Sequence, residues 1–436
     1  MKTNNYKQTQ IGETPEEWTI KTVETLIQEK ALYPPIDGNH GELHPKSSDF
    51  VKKGIPFITA ADIKDGQVDM TNCHFITSEQ AQKLQKGFAQ SGDVLLTHKA
   101  TIGRTAIVPT TNNEFVVLTP QVTYYRILDK TKLHNGYLKY YFNSPSFQRL
   151  LKSWAGGGST RDYIGILKQH ELPILQPSLP EQQYIASILS SLDDKIELNL
   201  KMNKTLEEMG KALFKRWFVE FEFPNENNKP YKSSGGKMVD SELGEIPKEW
   251  RVQSLDEIAV FLNGLACQKY PPVDDEDAMP VIKIADLRGG FSANSDMASS
   301  KVDDNYHIYN GDVLFSWSGS LELCLWPYGD GILNQHLFKV TSDIFPKWFY
   351  YYWTLEHLPY FRSIASGKAT TMGHIQRIHL THAKVLVPNN QALELMSTIM
   401  QPLLEKIISN NQEIALYKGL RDSLLPRLMS EKLRIN

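Results

Sequence analysis

Two pairs of short segments carry the side chains best suited to chemistry. Ala155-Gly156-Gly157-Gly158-Ser159-Thr160-Arg161 and Ser366-Gly367-Lys368-Ala369-Thr370-Thr371 set small hydroxyl residues and free backbone amides beside Arg or Lys. That combination suits a phosphate group, which fixes position without reading sequence. Basic residues surround both: Arg149, Lys152 and Lys168 near the first, Arg362, Arg377 and Lys384 near the second. The stretch from Leu358 to Leu393 also holds three histidines and no acid. The second pair is Thr97-His98-Lys99-Ala100-Thr101-Ile102-Gly103-Arg104 and Ser316-Trp317-Ser318-Gly319-Ser320. Each follows a strand-like Gly-Asp-Val-Leu, and the two differ strongly, as loops that read two different base sequences should. The expected DNA contacts are therefore Lys99, Arg104, Ser159, Thr160, Arg161 and Lys168, and then Ser316, Ser318, Lys368, Thr370, Thr371 and Arg377. The alternative is that these are ordinary hydrophilic loops.

Catalytic patterns are not found. Both Pro-Pro pairs follow Tyr and precede Ile or Val, so the Asn/Asp-Pro-Pro-aromatic tetrad of a DNA methyltransferase is missing. Gly235-Gly236-Lys237 has no strand ahead of it and is no Walker loop. Asp274-Asp275-Glu276-Asp277 reads as a solvated acidic loop, and His374, His379 and His382 lack a zinc-ligand spacing. The expectation is a chain with no active site, no metal and no cofactor of its own.

The elements that position the loops come as two copies. Leu243-Gly244-Glu245-Ile246-Pro247-Lys248-Glu249-Trp250 repeats Ile11-Gly12-Glu13-Thr14-Pro15-Glu16-Glu17-Trp18. In order, Tyr270-Pro271-Pro272-Val273-Asp274 answers Tyr33-Pro34-Pro35-Ile36-Asp37. Met279-Pro280-Val281-Ile282 with Ala285-Asp286-Leu287 answers Ile55-Pro56-Phe57-Ile58 with Ala61-Asp62-Ile63, and Gly311-Asp312-Val313-Leu314 answers Gly92-Asp93-Val94-Leu95. An ordered series of this kind marks an internal duplication. Within each copy, short β-branched and aromatic runs alternate with Gly, Pro and Asn, which predicts a mixed α/β globule. Aromatics at helical spacing (Tyr137, Tyr140, Tyr141; Phe349, Tyr352, Trp353) read as helix core packing.

Each globule is followed by a long amphipathic helix. Leu179-Pro180-Glu181 opens the first, with apolar residues in heptads at Ile185, Ile188, Leu192, Leu206, Met209 and Leu213, and Trp217 one position off the seam. The second repeats the pattern at Met396, Ile399, Leu403, Tyr417, Leu420 and Leu424. Five heptads in each predict a coiled-coil pair. Asn199 and Asn410 occupy the central seam position, where a lone polar residue fixes register. In an antiparallel pair they would lie within about a turn of each other; the alternative is that each faces solvent. A polar Pro/Gly/Ser stretch from Pro224 to Gly236 reads as a linker. The expected organisation is α+β: a globule over 1–178, a helical segment over 179–223, a linker over 224–242, a second globule over 243–389 and a helical segment over 390–430.

Composition agrees. A chain of 436 residues with 41% hydrophobic and 22% charged residues has material for more than one core. No apolar run is long enough for a membrane span, and the polar N-terminus lacks a secretory pattern. Three scattered cysteines, Cys73, Cys267 and Cys324, fit a reducing cytoplasm. With 47 basic against 50 acidic residues the net charge is −3, so any DNA-binding surface must be local and the isolated chain should bind DNA weakly.

Several of these segments resemble one family. Leu179-Pro180-Glu181-Gln182-Gln183 running through Ile185-Ala186-Ser187-Ile188-Leu189-Ser190-Ser191-Leu192-Asp193-Asp194-Lys195-Ile196 is similar to the central helical region of type I restriction–modification specificity subunits. So are Ala212-Leu213-Phe214-Lys215-Arg216-Trp217-Phe218, the Leu243-Gly244-Glu245-Ile246-Pro247 opening and Thr370-Thr371-Met372-Gly373-His374-Ile375. The resemblance implies two target-recognition domains, each reading one half of a split DNA sequence, and an antiparallel coiled coil that sets the gap between halves. It implies two methyltransferase (modification) subunits and restriction/translocase subunits as partners, with S-adenosylmethionine, ATP and Mg²⁺ bound by them. The readings set against it are a self-contained methyltransferase or nuclease and a coiled-coil scaffold that reads no DNA.

Overall fold

The computed structural model describes residues 6–41, 44–155, 163–367 and 373–430. The chain forms two compact units, Met1–Asp194 together with Lys418–Asn436, and Lys195–Tyr417. The two share their main sheets, strand for strand; the first adds a short hairpin, Ile63–Lys64/Gln67–Val68. In the first, an antiparallel sheet runs in the order Thr105–Ile107, Val94–Thr97, Val122–Tyr125, Ile36–Asp37. In the second, the order is Leu323–Leu325, Val313–Ser316, Leu337–Thr341, Val260–Asn263. A second, mixed sheet is likewise repeated. His74–Ile76, Ile55–Ile58, Val116–Leu118 and Phe88–Ala89 correspond to Met297–Ser299, Ala278–Ile282, Gly331–Leu333 and His307–Ile308.

Local chemistry explains why the repeated phrases fold alike. Gly92 takes φ +90° and Asp93 accepts from the Gln90 amide at 2.7 Å, which closes the turn into Val94–Thr97, a strand buried on both faces. Asp62 and Asp286 each accept from the amide three residues back, Thr59 at 2.7 Å and Lys283 at 2.8 Å, and so nucleate equivalent short 3-10 turns. Register corrects one of the sequence matches. Ile36–Asp37 pairs with Tyr124 and Thr123, and the strand holding the same place in the second unit is Val260–Asn263, not the Tyr270-Pro271-Pro272 segment. The likeness of the two Tyr-Pro-Pro phrases is compositional. The expected acidic loop is also less solvated than its composition implies. Asp277 is buried and receives the Val273 amide at 3.0 Å and the Ser299 and Ser300 hydroxyls at 3.0 and 3.1 Å.

The aromatic stripes lie in the cores. Tyr137, Tyr141 and Phe142 pack with Phe147 and Leu151 in the first unit, and Phe349, Tyr352 and Trp353 with Phe214 and Phe218 in the second. Each such aromatic buries a large apolar area, on the order of 2 kcal/mol or more per ring. The stretch expected to be a bare linker also packs: Phe223 stacks on Trp250 at 4.8 Å and on Tyr231 at 4.6 Å. The hairpin Met238–Ser241/Gly244–Pro247 then repeats Tyr6–Thr9/Gly12–Pro15.

The long helices are Leu179–Phe218 and Asn390–Leu428. Ser178 takes the Glu181 carboxylate on both its amide (2.9 Å) and hydroxyl (2.7 Å) ahead of Pro180, and Asn389 receives the Ala392 amide at 2.9 Å. The two pack antiparallel: Asn199 meets Glu413, whereas Asn203 meets Asn410 and Asn411. The seam differs by one position from the apolar heptads. Gln182, Leu189, Ile196, Asn203, Gly210 and Trp217 form a buried line along the first helix, of which Asn203 meets the partner helix, whereas Gln182 bonds to the first unit and Gly210 faces Tyr352. On the partner helix Met400, Ile407, Ile414 and Leu428 are buried, and Arg421 reaches Asp193 of the first helix. Met209, Ile399 and Leu420 are exposed, and Trp217 is buried in the core of the second unit. Gln182, Asn203 and Gly210 break the apolar rhythm, so periodicity alone steps past them.

Candidate nucleic-acid interface

In the first unit the chain leaves Val94–Thr97 through a loop held at every corner. Gly103 has φ +89°, and its amide donates to Thr97 O at 2.9 Å. Gln148 Nε2 donates to Gly103 O at 2.8 Å, and the Arg104 amide donates to the Thr97 hydroxyl at 2.9 Å. Ile164, just past the Gly/Ser/Thr segment, donates its amide to His98 O at 3.0 Å, and Lys99 forms a bridge with Tyr163. Tyr163 and Ile164 thus share an edge with the loop that follows Val94–Thr97.

The second unit repeats the arrangement. The Glu322 amide donates to the Ser316 hydroxyl at 2.7 Å, Ile375 donates to Trp317 O at 2.9 Å, Gly319 to Gly373 O at 2.9 Å, and Ser318 bridges His374. On this shared backbone the side chains diverge. His98, buried and 1% exposed, shares a 2.8 Å hydrogen bond with Thr123 through Nδ1, and burial pushes its imidazole down to about 4. Its counterpart Trp317 donates from Nε1 to Asn263 Oδ1 at 2.8 Å and lies 5.7 Å from the His336 ring.

Beside His98 lies a charged group that sequence reasoning missed. Asp37 receives Lys86 Nζ and pairs with His40 Nε2 at 2.8 Å. Burial alone would raise the Asp37 carboxyl, but its bonds to Lys86 and His40 outweigh it and hold the group below the usual range. The following Gly38 approaches the chain so closely that a Cβ there would stand 1.9 Å from Leu118 O. Gly264, after Asn263, shows the same at 2.2 Å from Asn334 O. A shared Asp/Asn-Gly step was the available signal.

The nominated residues fall into groups. Lys99 Nζ lies 5.7 Å from the Tyr163 ring centroid and Lys168 Nζ 4.7 Å from that of Trp154, with Glu171 as its ion partner. Arg104 donates from Nη1 to Ala60 O at 3.0 Å, and Arg377 from Nη2 to Phe261 O at 3.3 Å; both residues remain exposed. Ser316 is buried and donates its hydroxyl to Ser320 O at 2.6 Å, so it closes the loop as Thr97 does and does not face outward. Ser318 is also buried, 3.3 Å from His336 Nδ1. Ser159, Thr160, Arg161, Lys368, Thr370 and Thr371 lie outside the described residues. On the helix seam, Asn410 Nδ2 donates to Asn203 Oδ1 at 2.8 Å, Asn203 Nδ2 to Asn411 Oδ1 at 2.7 Å, and Asn199 Nδ2 to Glu413 Oε2 at 2.9 Å. Among the described residues no group of three or more His, Cys, Asp or Glu is placed to hold a metal, and no helix is long and apolar enough to cross a membrane.

Two copied α/β units with divergent loops on one backbone, each tied to a helix of an antiparallel pair, define a duplicated recognition protein. The family pattern described as type I restriction modification DNA specificity domain matches residues 35–208 and again 247–416, and the chain belongs to that family. It is 27% identical to the type I restriction enzyme MjaIX specificity subunit of Methanocaldococcus jannaschii, over 99% of this chain and 96% of that one. It is 23% identical to the HindI specificity subunit of Haemophilus influenzae over 58% of this chain and 67% of that one. In fold it matches the solved S subunit of a type I restriction-modification system from M. genitalium with a TM-score of 0.54, 14% identity and 98% of each chain covered. The chain is a specificity subunit that recognises DNA; its relatives bear that name and not the name of a catalytic subunit.

Proposed function

We propose that each unit reads one half of a bipartite DNA target and that the paired helices set the gap between halves. The observation that carries this reading is the repeated junction: His98 O with Ile164 N in one unit, Trp317 O with Ile375 N in the other. The backbone there is common and the side chains are not, which is the arrangement two readers of different sequences require. Recognition is assigned to 1–178 and 243–389, and spacing to 179–223 and 390–430. Lys99, Arg104, Lys168 and Arg377, with Ser159, Thr160, Arg161, Lys368, Thr370 and Thr371, would grip the duplex. Ser316 and Ser318 would shape the reading loop, and Asn199 and Asn410 would hold register.

Two methyltransferase subunits would dock on this chain in the cytoplasm, restriction/translocase subunits would join them, and S-adenosylmethionine, ATP and Mg²⁺ would reside on those partners. With a net charge of −3 the chain alone would bind DNA weakly, its partners completing the electrostatic grip. The test exchanges residues 1–178 for the corresponding part of another specificity subunit and maps methylated adenines in the host genome. One half of the target should change and the other persist. An unchanged target, or a change in both halves, would refute the reading.

A further inference from the structure

One junction carries opposite charge in the two units. The bonds that define it are the same: the Arg104 amide donates to Thr97 Oγ1 and the Glu322 amide to Ser316 Oγ, while the Thr97 and Ser316 amides donate to Arg104 O and Glu322 O. Arg104 and Glu322 therefore hold equivalent positions. Gln148 braces Gly103 O at 2.8 Å, and Arg362 Nε braces Leu321 O at 3.0 Å. Lys64 and Arg288 each follow the equivalent 3-10 turns capped by Asp62 and Asp286. The first unit thus sets Lys64, Arg104 and Gln148 in one cleft, and the second sets Arg288, Glu322 and Arg362.

The second cleft, about 560 Å³ and open to solvent, has an uneven build. Glu322 receives Arg288 Nη2 and lies 3.8 Å from Arg362 Nη2. The acid's side chain is 21% exposed, against 75% for Arg288 and 51% for Arg362. All three line the cleft, and the two Arg side chains are the more exposed. The first unit builds the same junction with Arg in this place, so the fold has no need of an acid here. Two guanidiniums converging on one carboxylate present a fork that a phosphate oxygen pair fits equally well, and exposed ion pairs of this kind are weak.

We propose that Arg288 and Arg362 form a seat for a phosphate of the DNA backbone, and that Glu322 is the chain's own anion in that seat, exchanged for the phosphate on binding. This rests on the DNA-reading assignment above. The test measures anisotropy of a fluorescent duplex of arbitrary sequence with the full-length chain across a salt series, each variant checked for an unchanged melting curve. Glu322→Gln should bind severalfold more tightly, because the phosphate no longer has to displace a carboxylate; each phosphate contact is worth about 0.9 in the salt slope. Arg288→Gln should flatten the slope by a similar amount, and the Glu322→Gln/Arg288→Gln double variant should lose the gain. No tightening in Glu322→Gln overturns the proposal. So does a gain that survives whole in the double variant, because Arg288 would then take no part in it. Failure of the unaltered chain to bind duplex at low salt would instead strike the DNA-reading assignment itself.

Discussion

Asn410 Nδ2 donates to Asn203 Oδ1 at 2.8 Å, with both residues buried in the helix seam. Asn203 passes the interaction on to Asn411, so three amides form a short chain across the pair. Removing one end strands the next. Asn410→Leu leaves the Asn203 carbonyl without its donor and should cost about 1–3 kcal/mol. Asn203→Leu/Asn410→Leu removes both and should recover part of that loss, since paired removal of buried polar groups is often neutral. Chemical denaturation of the four-member cycle checks this; purely additive losses would mean that the two amides do not cooperate.

Asp193 joins the helix pair to the first unit. Its carboxylate takes Lys139 Nζ at 3.0 Å, the Tyr140 hydroxyl at 2.7 Å and Arg421 Nη1 at 3.0 Å. Burial pushes the carboxyl up, but Lys139, Tyr140 and Arg421 together pull it below its ordinary value. A carboxylate depressed in the folded state contributes stability that is complete above the ordinary range and is lost as pH falls through the folded value. Asp193→Ala leaves the mostly buried Lys139 ammonium without its partner and should destabilise by roughly 3–5 kcal/mol at neutral pH. The loss should shrink in strong acid. Thermal melts at several pH values check the trend, and a pH-independent loss would contradict it.

What sequence reveals here follows from how local each signal is. The Gly-Asp-Val-Leu and Ala-Asp phrases sit at turns whose hydrogen bonds close within a few residues, so their copies mark equivalent elements. The Tyr33-Pro34-Pro35 match misleads because strand pairing, a long-range property, places Val260–Asn263 opposite the equivalent partner. The seam slips by one position because its polar members, Asn203 with Asn410 and Asn411, give a hydrophobic periodicity nothing to read. The loops after Val94–Thr97 and Val313–Ser316 stand out in sequence by their hydroxyl and basic residues, and the same backbone bonds close both. Asp37 with Lys86, and Arg288 with Glu322, do not stand out, because their partners lie dozens of residues away and no spacing joins them.

His98 gives the first unit an acid-sensitive core. Burial pushes its imidazole down to about 4, whereas an unfolded chain titrates near the ordinary value of 6.5. Between those values the unfolded chain takes up a proton that the folded one refuses, so stability falls as pH drops from 6.5 toward 4. At about 1.36 kcal/mol per unit, the contribution is on the order of 3 kcal/mol. His98→Asn keeps an amide in reach of the Thr123 hydroxyl and removes the titration. Its stability should depend less steeply on pH through that window, as read by denaturant melts at neutral and mildly acidic pH. An unchanged slope would show that the proton is taken up elsewhere.

Gly38 and Gly264 should be the least replaceable small residues of the two units. A Cβ at either would stand 1.9 or 2.2 Å from a backbone carbonyl oxygen, Leu118 O or Asn334 O, and no rotamer relieves a clash with main chain. The strand carrying Asp37 or Asn263 would have to move, and with it the residue that holds Lys86 or Trp317. Gly38→Ala and Gly264→Ala should each cost at least about 3 kcal/mol, the upper range for overpacking. Gly419 is the internal comparison. It lies inside the C-terminal helix with nothing within 4 Å of its built Cβ, and Gly419→Ala should stabilise by roughly 0.5–1 kcal/mol. Calorimetry of the three variants settles the matter, and tolerance of alanine at both Gly38 and Gly264 would mean that the close approach of the strands is not what fixes the reading edge.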